Sequence, residues 1–389
     1  MNISEILKDY DLDNITIGVL GGHSALDVCA GAKKLGLKTI CVAVKGREQT
    51  YDKHYKTKET DYGTTGCIDE CIVVDTWSGL LEENVQEELR KRNTIFIHNR
   101  YFWTYFNFQD IENNFKVPIY GSRELIKLEE RDVPNNQYYL LEKAGIRIPQ
   151  MFDIPKLSYK DGVLSMEEPK EEMNKLTLTK VSNAIRTYER ANFVASNWEE
   201  WRSLAEGKLN DGEILIDVLQ LAVIEEFVLG AQINFNFFYS ALNDTVELMG
   251  TDMRRQTNLD GFLRLPAKEQ LKIPEHVNPF HIETGHVAVT CKESLIEKSF
   301  IAAENFIKAC KEHAQELIGP FALQGAIETD GKKEELIVFD VSMRIPGSPG
   351  ISATPYTGYL YGENISMGER IAMEIREAQE KGELARLLT

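Results

Sequence analysis

The sequence feature that most constrains the fold is a predicted β-hairpin in the last quarter of the chain. Two apolar runs flank Asp330 and Gly331, and an Asp-Gly pair between such runs is a strong signal for a tight hairpin turn. Asp340 and Arg344 are four residues apart in the second run, so the two-residue period of a strand places them on one face. Gln324 lies in the first run of the same hairpin.

These residue types suit the binding of a nucleotide together with a metal ion. Oxygen ligands from paired strands are what Mg²⁺ takes when it also holds nucleotide phosphates, so Gln324 and Asp340 are candidate metal ligands. An arginine beside them can neutralise a developing phosphate charge, so Arg344 is a candidate catalytic residue. An ordinary buried strand with one satisfied salt bridge explains the same pattern about equally well.

Length and charge limit the classes of protein to which the chain can belong. It has 389 residues, which favours two or three subdomains over one small core. Its formal net charge is −17 and it has no basic block, which argues against a main role in binding nucleic acid. The N-terminal segment is acidic and amphipathic rather than a secretory signal, and no apolar run reaches membrane-spanning length.

The six cysteines lack the paired spacing of a structural metal site. Cys67 and Cys71 are close enough in sequence to touch, but two sulfurs without further ligands make a poor zinc site. The cysteine pattern therefore indicates a reducing, cytoplasmic setting.

About the first 120 residues alternate predicted strands and helices, which is typical of a doubly wound sheet. A Gly-Gly-His-Ser loop separates the first strand from a helix, where backbone N–H groups favour an anion. His23 and Ser24 are therefore candidate phosphate or substrate ligands, although a turn with a capping serine fits the local sequence about as well. Arg47 follows the next strand and adds positive charge to the same rim, and Arg100 follows a later strand.

A strand that ends at Lys180 begins a second candidate site, for a nucleotide. Arg186 and Arg190 lie in the segment behind it, where they either cover the phosphates or form part of a solvated loop. Glu225 and Glu226 end a later apolar run shortly before a glycine. This arrangement suits a hinge at an adenosine, with backbone groups at the base edge and a carboxylate at the ribose hydroxyls.

The order of these features resembles that of the ATP-grasp superfamily: a doubly wound domain, a strand ending in lysine, a Glu-Glu hinge and a late hairpin. Several motifs are similar to those of one member, the archaeal formate-dependent FAICAR synthetases of purine biosynthesis. They are the Gly-Gly-His-Ser loop, the Glu-Glu hinge, the loop around Asn258, the segment from Ile318 to Gln324, and the segment that begins at Ser366.

The resemblance implies an α/β and α+β architecture, in which an ATP-grasp fold follows an N-terminal doubly wound (pre-ATP-grasp) domain. Residues 1–121 would form the N-terminal substrate-binding domain, and residues 122–218 the small ATP-grasp subdomain. Residues 219–389 would form the large subdomain with the metal hairpin. The resemblance also implies a homo-oligomer.

The activity implied by the resemblance is that of an ATP-dependent ligase with small-molecule substrates. Formate becomes formyl phosphate, and the 5-amino group of AICAR (an aminoimidazole carboxamide ribonucleotide) attacks it to give FAICAR, ADP and phosphate. By position, His23 and Asn258 would contact AICAR, and Gln324 and Asp340 would hold Mg²⁺, or Mn²⁺ in its place. The residues that would bind ATP are Lys180, Glu225, Glu226 and Val228.

The chain departs from the usual pattern of that family at several positions. No glycine follows Lys180 closely, Asp340 stands where glutamate is usual, and Tyr139 stands where lysine is common. Arg100 replaces a small hydroxyl residue, and we expect it to supply charge to a substrate phosphate or carboxylate. Two alternatives stay open: a ligase of the same fold that acts on a different acid or amine, and a non-catalytic paralogue that binds nucleotide.

Overall fold

The computed structural model describes residues 3–131, 133–181, 192–256, 259–273, 282–329 and 331–389. Four residues named above lie outside these ranges, namely Arg186, Arg190, Asn258 and Asp330. Within the described ranges, no helix is both long enough and apolar enough to cross a membrane.

The N-terminal part of the chain forms a five-stranded parallel sheet in the order β5-β2-β1-β6-β7. The strands of this part are β1 (Thr16–Leu20), β2 (Lys38–Val44), β3 (Lys58–Thr60), β4 (Gly63–Thr65), β5 (Glu70–Val74), β6 (Thr94–Ile97) and β7 (Ile119–Tyr120), of which β3 and β4 form a separate two-stranded antiparallel pair. The helices are α1 (Ile3–Ile6), α2 (Ala25–Lys34), α3 (Glu83–Lys91), α4 (Tyr101–Thr104) and α5 (Phe108–Asn113). Every residue of β1 is buried, as expected for a parallel strand covered on both faces. The predicted doubly wound sheet is confirmed.

The middle of the chain forms a four-stranded antiparallel sheet in the order β12-β11-β13-β8. The strands of this part are β8 (Met151–Phe152), β9 (Leu157–Lys160), β10 (Val163–Met166), β11 (Thr177–Lys180), β12 (Phe193–Ala195) and β13 (Val223–Glu226). The helices are α6 (Gln137–Lys143), α7 (Trp198–Asn210) and α8 (Ile216–Gln220). Trp201 of α7 is fully buried against this sheet, where its indole N–H donates to the hydroxyl of Thr179 at 2.8 Å.

The last part of the chain forms a five-stranded antiparallel sheet in the order β16-β15-β14-β17-β18. The strands are β14 (Ala231–Ser240), β15 (Thr245–Gln256), β16 (Glu283–Ala288), β17 (Gly319–Thr329) and β18 (Glu334–Ser342). The helices are α9 (Leu259–Phe262), α10 (Ala267–Gln270), α11 (Glu293–His313), α12 (Tyr356–Tyr361) and α13 (Met367–Lys381). Phe321 of β17 stacks on Phe237 of β14 and on Phe306 of α11, which fixes this helix on one face of the sheet.

The predicted hairpin is present as the β17–β18 pair. Gln324 lies directly opposite Asp340, and the register shifts immediately after Gln324. β18 ends at Ser342, so the strand alternation that places Asp340 and Arg344 on one face does not extend to Arg344. β13 pairs within the middle sheet although it begins after residue 218, where the predicted small subdomain ends.

Two contacts attach the N-terminal sheet firmly to the last part of the chain. Helices α2 and α13 approach so closely that a Cβ on Gly31 would lie 2.1 Å from the backbone nitrogen of Glu369. The C-terminal residue Thr389 exchanges backbone hydrogen bonds of 3.0 and 2.9 Å with Ile119 of β7. These contacts hold the loop after β1 against the large antiparallel sheet, where it forms part of the site described next.

Candidate active site

A small, partly open cavity lies between the loop that follows β1, the open face of the large sheet, and the loop that follows β18. Four of the residues predicted from the sequence line it: His23, Arg100, Gln324 and Arg344. The other polar residues of its wall come from β14, β15, β16, the end of β18 and the loop after it, so residues far apart in sequence build it.

The loop after β1 turns His23 towards the large sheet. Ser24 has a positive φ of 67°, and its hydroxyl donates a 2.7 Å hydrogen bond to the carbonyl of Pro346 instead of capping α2. Gly347 packs directly against the imidazole of His23, because a Cβ at that position would lie 1.1 Å from the ring carbon Cε1. A glycine is therefore required at 347 for the imidazole to enter the cavity wall.

Glu283, the first residue of β16, connects most of the charged side chains of the cavity. Its Oε1 atom lies 2.9 Å from Nε2 of His23 and 3.0 Å from Nε2 of His286. Its Oε2 atom lies 3.2 Å from Nε of Arg254 and 3.9 Å from Nη1 of Arg100. Burial opposes ionisation, but the two histidines and Arg254 outweigh it and hold the pKa of Glu283 well below its usual range.

His286 is held in turn by a buried carboxylate. Its Nδ1 atom lies 2.5 Å from Oδ2 of Asp252, and Asp252 accepts hydrogen bonds of 2.9 and 2.6 Å from the amides of Asn234 and Asn236. Burial alone would lower the pKa of His286, but the bonds to Asp252 and Glu283 raise it to about 9. Asp252, His286, Glu283 and His23 thus form a continuous chain from the sheet interior to the cavity.

Gln324 and Arg344 line the side of the cavity nearest the hairpin. The side-chain amide of Gln324 accepts from Arg254 Nη2 at 3.0 Å and donates to Ser342 Oγ at 2.9 Å. Arg344 is buried, with Nη2 3.4 Å from Oε2 of Glu129. Burial lowers the pKa of Arg344 and raises the pKa of Glu129 to about 7, although the positive charge of Arg344 counteracts the latter shift.

A second charged cluster lies on the other side of Asp340. Lys180, at the end of β11, pairs with Glu225 of β13, whose other oxygen accepts from the hydroxyl of Tyr138. Arg131 donates to Asp340 Oδ1 at 3.2 Å and to the Phe339 carbonyl at 3.1 Å. Burial, and then the positive charge of Arg131, lower the pKa of Lys180 to about 8. Lys180 and Asp340 therefore already have protein partners.

The two clusters meet at the hairpin. Gln324 belongs to the cavity and Asp340 to the second cluster, and the two residues are direct partners in the β17–β18 register. Opposite residues of an antiparallel pair have neighbouring side chains on the same face. The pair therefore connects a site built on the N-terminal domain with one built on the middle sheet.

The remaining residues of the predicted hinge lie at the end of β13. Glu226 accepts from Lys175 at 2.5 Å and from the backbone N–H of Gln150 at 3.1 Å, whereas Glu225 faces Lys180. The two adjacent glutamates thus take different partners, as alternation along a strand requires. Val228 follows the strand end and is partly buried.

Some residues singled out in the sequence lie apart from the cavity. Arg47 is exposed after β2, and Tyr139 of α6 packs against His313 at a ring distance of 6.0 Å. Cys67 and Cys71 are free thiols in the first domain, and Cys71 is the strand partner of Cys41.

Sequence reasoning missed Glu283 and His286 as site residues. A spacing of three residues places two side chains on opposite faces of a regular strand. β16 is irregular here, because the register shifts between Arg255 and Gln256 so that Glu283 and Gly285 face consecutive residues of β15. The extra residue brings both side chains to the cavity, in the manner of a β-bulge. The Asn234-Phe-Asn236 alternation was the available signal for Asn234 and Asn236, which lie on the same face of β14.

Comparison with family models and curated proteins places the chain among full-length relatives. A "Protein of unknown function (DUF1246)" model matches residues 17–152, and a "Domain of unknown function (DUF1297)" model matches residues 200–389. The 5-formaminoimidazole-4-carboxamide-1-(beta)-D-ribofuranosyl 5'-monophosphate synthetase of Methanopyrus kandleri is 35% identical over 389 residues, which cover 100% of this chain and 98% of the relative.

Solved structures show the same fold. The IMP biosynthesis protein PurP from Thermococcus kodakaraensis is similar with a TM-score of 0.68 and 23% identity, over 96% of this chain and 100% of that one. Biotin carboxylase from Campylobacter jejuni, solved as a complex with ATP, has a TM-score of 0.55 and 13% identity, over 93% of this chain and 70% of that one. The predicted ATP-grasp fold is confirmed, and the chain belongs to the family of archaeal 5-formaminoimidazole-4-carboxamide ribonucleotide synthetases.

Proposed function

We propose that the chain is an ATP-dependent carbon–nitrogen ligase that formylates the 5-amino group of AICAR with formate, giving FAICAR in purine (IMP) biosynthesis. The observation that carries the proposal is the full-length identity of 35% to synthetases named for this product. The structure supplies a physical setting for it, because a cationic cavity and a lysine-containing cluster meet at one hairpin.

The second cluster suits a nucleoside triphosphate. Arg131 has a buried Nε atom without a hydrogen-bond partner among the described residues, which is uncommon in a protein interior. An anionic oxygen would satisfy such a donor. Lys180 would contact phosphate oxygens, and Glu225, Glu226 and Val228 would meet the nucleoside. Arg186 and Arg190 are proposed to cover the phosphates from the segment outside the described residues.

The Gln324–Asp340 pair suits a magnesium ion that is also bound by phosphates. Mg²⁺ usually takes one or two protein oxygen ligands and completes its shell with water and substrate phosphates. One carboxylate and one amide oxygen, which are partners in the strand register, match this requirement. Bound there, Mg²⁺ or Mn²⁺ would neutralise phosphate charge. To bind the ion, Asp340 would have to turn away from Arg131. Arg131 could then pair with a phosphate group instead.

The cavity suits the other two substrates, both of which carry negative charge. Arg100, Arg254 and Arg344 converge on it, so a ribonucleotide phosphate and formate find guanidinium groups there. His23, Ser24 and Asn258 are proposed to hold AICAR there, whereas Arg47, predicted with them, does not line the cavity.

The reaction needs positioning and charge stabilisation more than a covalent nucleophile. A formate oxygen attacks the γ-phosphorus and the bond to the β-phosphate oxygen breaks, so ADP leaves and formyl phosphate forms. The amine nitrogen of AICAR then attacks the formyl carbon, the carbon–oxygen bond to phosphate breaks, and the amine loses a proton. Arg344 stabilises the negative charge that develops on the phosphoryl oxygens, and His23 lies where it can orient the amine.

The proposal is tested by measuring ADP release with formate and AICAR, with and without Mg²⁺. Release should require both substrates and the metal, and FAICAR should form in equal amount. Asp340→Asn should abolish turnover while the protein still folds. ADP release that is independent of AICAR and formate would contradict the proposal, and nucleotide binding without any release would favour a non-catalytic paralogue.

A second candidate function keeps the fold and the ATP chemistry but changes the acid or the amine. Arg100 favours it, because this arginine lines the cavity wall and, by the resemblance described above, stands where some members of the family have a small hydroxyl residue. A screen of carboxylic acids and amines for ADP release distinguishes the two functions. Arg100→Ala should raise the KM of the anionic substrate, and an unchanged KM would exclude the role of Arg100 in binding it. The homo-oligomeric state and the cytoplasmic location stay predictions.

A further inference from the structure

We propose that His23, Glu283 and His286 form a second metal site, for a first-row transition-metal dication, on the substrate side of the molecule. The three ligand atoms are Nε2 of His23, Oε1 of Glu283 and Nε2 of His286, and they all lie within 4.8 Å of one another. This site shares no residue with the Gln324–Asp340 pair. It does not depend on the proposed ligase reaction, because it rests on the geometry of the protein alone.

The spacing of the three atoms suits one ion. Oε1 of Glu283 lies 2.9 Å from Nε2 of His23 and 3.0 Å from Nε2 of His286. Ligands bound at ~2.1 Å to a zinc-like ion are separated by about 3.0 to 3.4 Å in octahedral or tetrahedral geometry. Both distances to Glu283 already lie near this range, and the two imidazole nitrogens, which lie within 4.8 Å of each other, would have to move closer together around an ion.

The hydrogen bonds of His286 leave its Nε2 atom ready to bind a metal. Nδ1 lies 2.5 Å from Asp252, so in the neutral imidazole the proton is on Nδ1 and the Nε2 lone pair points outward. Nε2 is buried and, among the described residues, has no aligned hydrogen-bond partner despite its 3.0 Å distance from Glu283. An unprotonated Nε2 and a carboxylate oxygen repel each other at that distance, so either a proton or a metal ion must lie between them.

The surroundings have the second set of contacts that metal-bound histidines usually need. A carboxylate on the far ring nitrogen orients a ligating histidine, and Asp252 occupies that place for His286. Asp252 is itself fixed by amide donors from Asn234 and Asn236. Glu283 binds Arg254 through Oε2, which leaves Oε1 available as a single-oxygen ligand.

The donor set indicates which metals would bind. Two imidazoles and one carboxylate favour Mn²⁺, Fe²⁺, Co²⁺ or Zn²⁺ over Mg²⁺ and Ca²⁺, which prefer oxygen ligands. Three protein ligands leave at least one coordination position of the ion open, and all three residues line the cavity, so the open positions are reached from it. A water molecule or a small carboxylate would occupy them.

The test is a titration of the chelator-treated protein with Co²⁺, followed by visible absorption and by the number of ions bound per chain. One ion per chain with d–d bands of nitrogen and oxygen ligation is expected. His286→Gln and Glu283→Gln should each abolish these bands. Asp252→Asn should weaken the affinity about 10- to 100-fold, as loss of such a supporting carboxylate usually does.

Two control variants separate this site from other places where Co²⁺ can bind. His313→Gln removes an exposed histidine at the end of α11 and should leave the spectrum unchanged. Asp340→Asn alters the proposed magnesium site and should also keep the Co²⁺ bands, since no nucleotide is present.

A measurement on the unmodified protein covers the case in which a variant does not fold. Of the seven histidines, two should give ring signals in proton NMR that Co²⁺ shifts strongly through direct coordination. The proposal would be overturned if no ring signal shifted, or if the Co²⁺ bands persisted in folded His286→Gln and folded Glu283→Gln. Either result would instead indicate a protonated His286 held between two carboxylates.

Discussion

The cavity and the second charged cluster, here called the Lys180 cluster, differ in how their charged side chains are neutralised. In the cavity, Glu283 contacts two histidines and two arginines that come from the loops after β1 and β6 and from β15 and β16, and the basic side chains outnumber the carboxylates. In the Lys180 cluster, each cation already faces a carboxylate: Lys180 pairs with Glu225, and Arg131 pairs with Asp340. One region has an excess of positive charge, whereas the other is nearly neutral.

This difference indicates how each region receives an anion. The cavity can attract a phosphate or a formate ion without breaking its internal pairs, because several guanidinium groups share one carboxylate. In the Lys180 cluster, a nucleotide must compete with Glu225 and Asp340, so a metal ion that takes over Asp340 would release Arg131. Variants of the two regions should therefore affect different substrates.

The largest effect is expected from removing the buried lysine. Lys180→Met should lower kcat/KM for ATP about 100- to 1000-fold, the usual cost of losing one preorganised charge at a reacting oxyanion. KM for AICAR should stay within about threefold. Steady-state kinetics at varied ATP and AICAR check both values, and Lys180→Arg, which keeps the charge, should recover part of the activity.

The matched control is Lys175→Met, which alters a neighbouring pair formed by a lysine just before β11 and by Glu226 of β13. Lys175 contacts Glu226 at 2.5 Å, but its side chain is 39% exposed, so the pair contributes little. We expect kcat/KM for ATP to stay within about threefold. Equal losses of kcat/KM for ATP in Lys180→Met and Lys175→Met would contradict a specific role of Lys180 in binding the nucleotide.

A smaller effect, on the other substrate, is expected at Arg254. Arg254→Ala removes contacts to Glu283 and Gln324 and should lower kcat/KM for AICAR about 10- to 100-fold, the cost of a charged hydrogen bond. KM for ATP should change little. Arg255→Ala is the control, since Arg255 is the next residue of β15 and contacts Asp260 at 3.4 Å instead. A loss of ATP binding in Arg254→Ala would contradict the proposal that the cavity binds AICAR and the Lys180 cluster binds ATP.

The affinity for ATP should fall with rising pH. Burial, and then Arg131, lower the pKa of Lys180 to about 8, so the charge that attracts phosphate is lost as the pH rises through that value. Affinity measured by calorimetry should therefore drop about tenfold between pH 7 and pH 9. In Lys180→Arg the step should vanish, because arginine keeps its proton in this range. A flat profile in the unmodified protein would show that Lys180 stays charged.

The same shift has a consequence for stability that runs in the opposite direction. The pKa of Lys180 in the folded protein lies below its ordinary value of 10.5. The unfolded chain therefore binds more protons between about pH 8 and pH 10.5, and the contribution of Lys180 to stability rises with pH across this window.

The smallest effect is expected from a single hydroxyl. Tyr138→Phe removes the hydrogen bond to Glu225 and the 3.4 Å contact with Lys180, a change worth about 1 kcal/mol. KM for ATP should rise about fivefold. Tyr139→Phe is the control from the same helix, since its ring packs near Lys143 and His313 outside both regions, and its kinetics should be unchanged.

Much of the Lys180 cluster could be predicted from the sequence. Lys180 and Glu225 end apolar runs, and the hairpin is signalled by its turn, so strand periodicity and local motifs locate them. Asp340 followed from the same hairpin. Arg131 and Tyr138 were not predicted, because they reach the cluster from a segment that has no local signal for a site.

The cavity was predictable only in part. The Gly-Gly-His-Ser loop identified His23, but its partner Glu283 is 260 residues away in sequence. On a regular strand, the three-residue spacing of Glu283 and His286 predicts side chains on opposite faces. Only the irregular register of β16 brings both side chains to the cavity. The role of Gly347 was also not predictable, since nothing near it in sequence indicates that it must leave room for the imidazole of His23.

By itself, the sequence determined the class of sheet in each part of the chain, the hairpin, and which motifs carry charge at strand ends, because these depend on periodicity and on neighbours along the chain. The tertiary structure alone decided which charges meet. Close helix packing through Gly31 and Gly368 sets the N-terminal loop against the large sheet, and a shifted register turns β16 towards it. The physical reason is that electrostatic and metal-binding geometry depends on distances of a few ångströms between residues that are far apart in sequence.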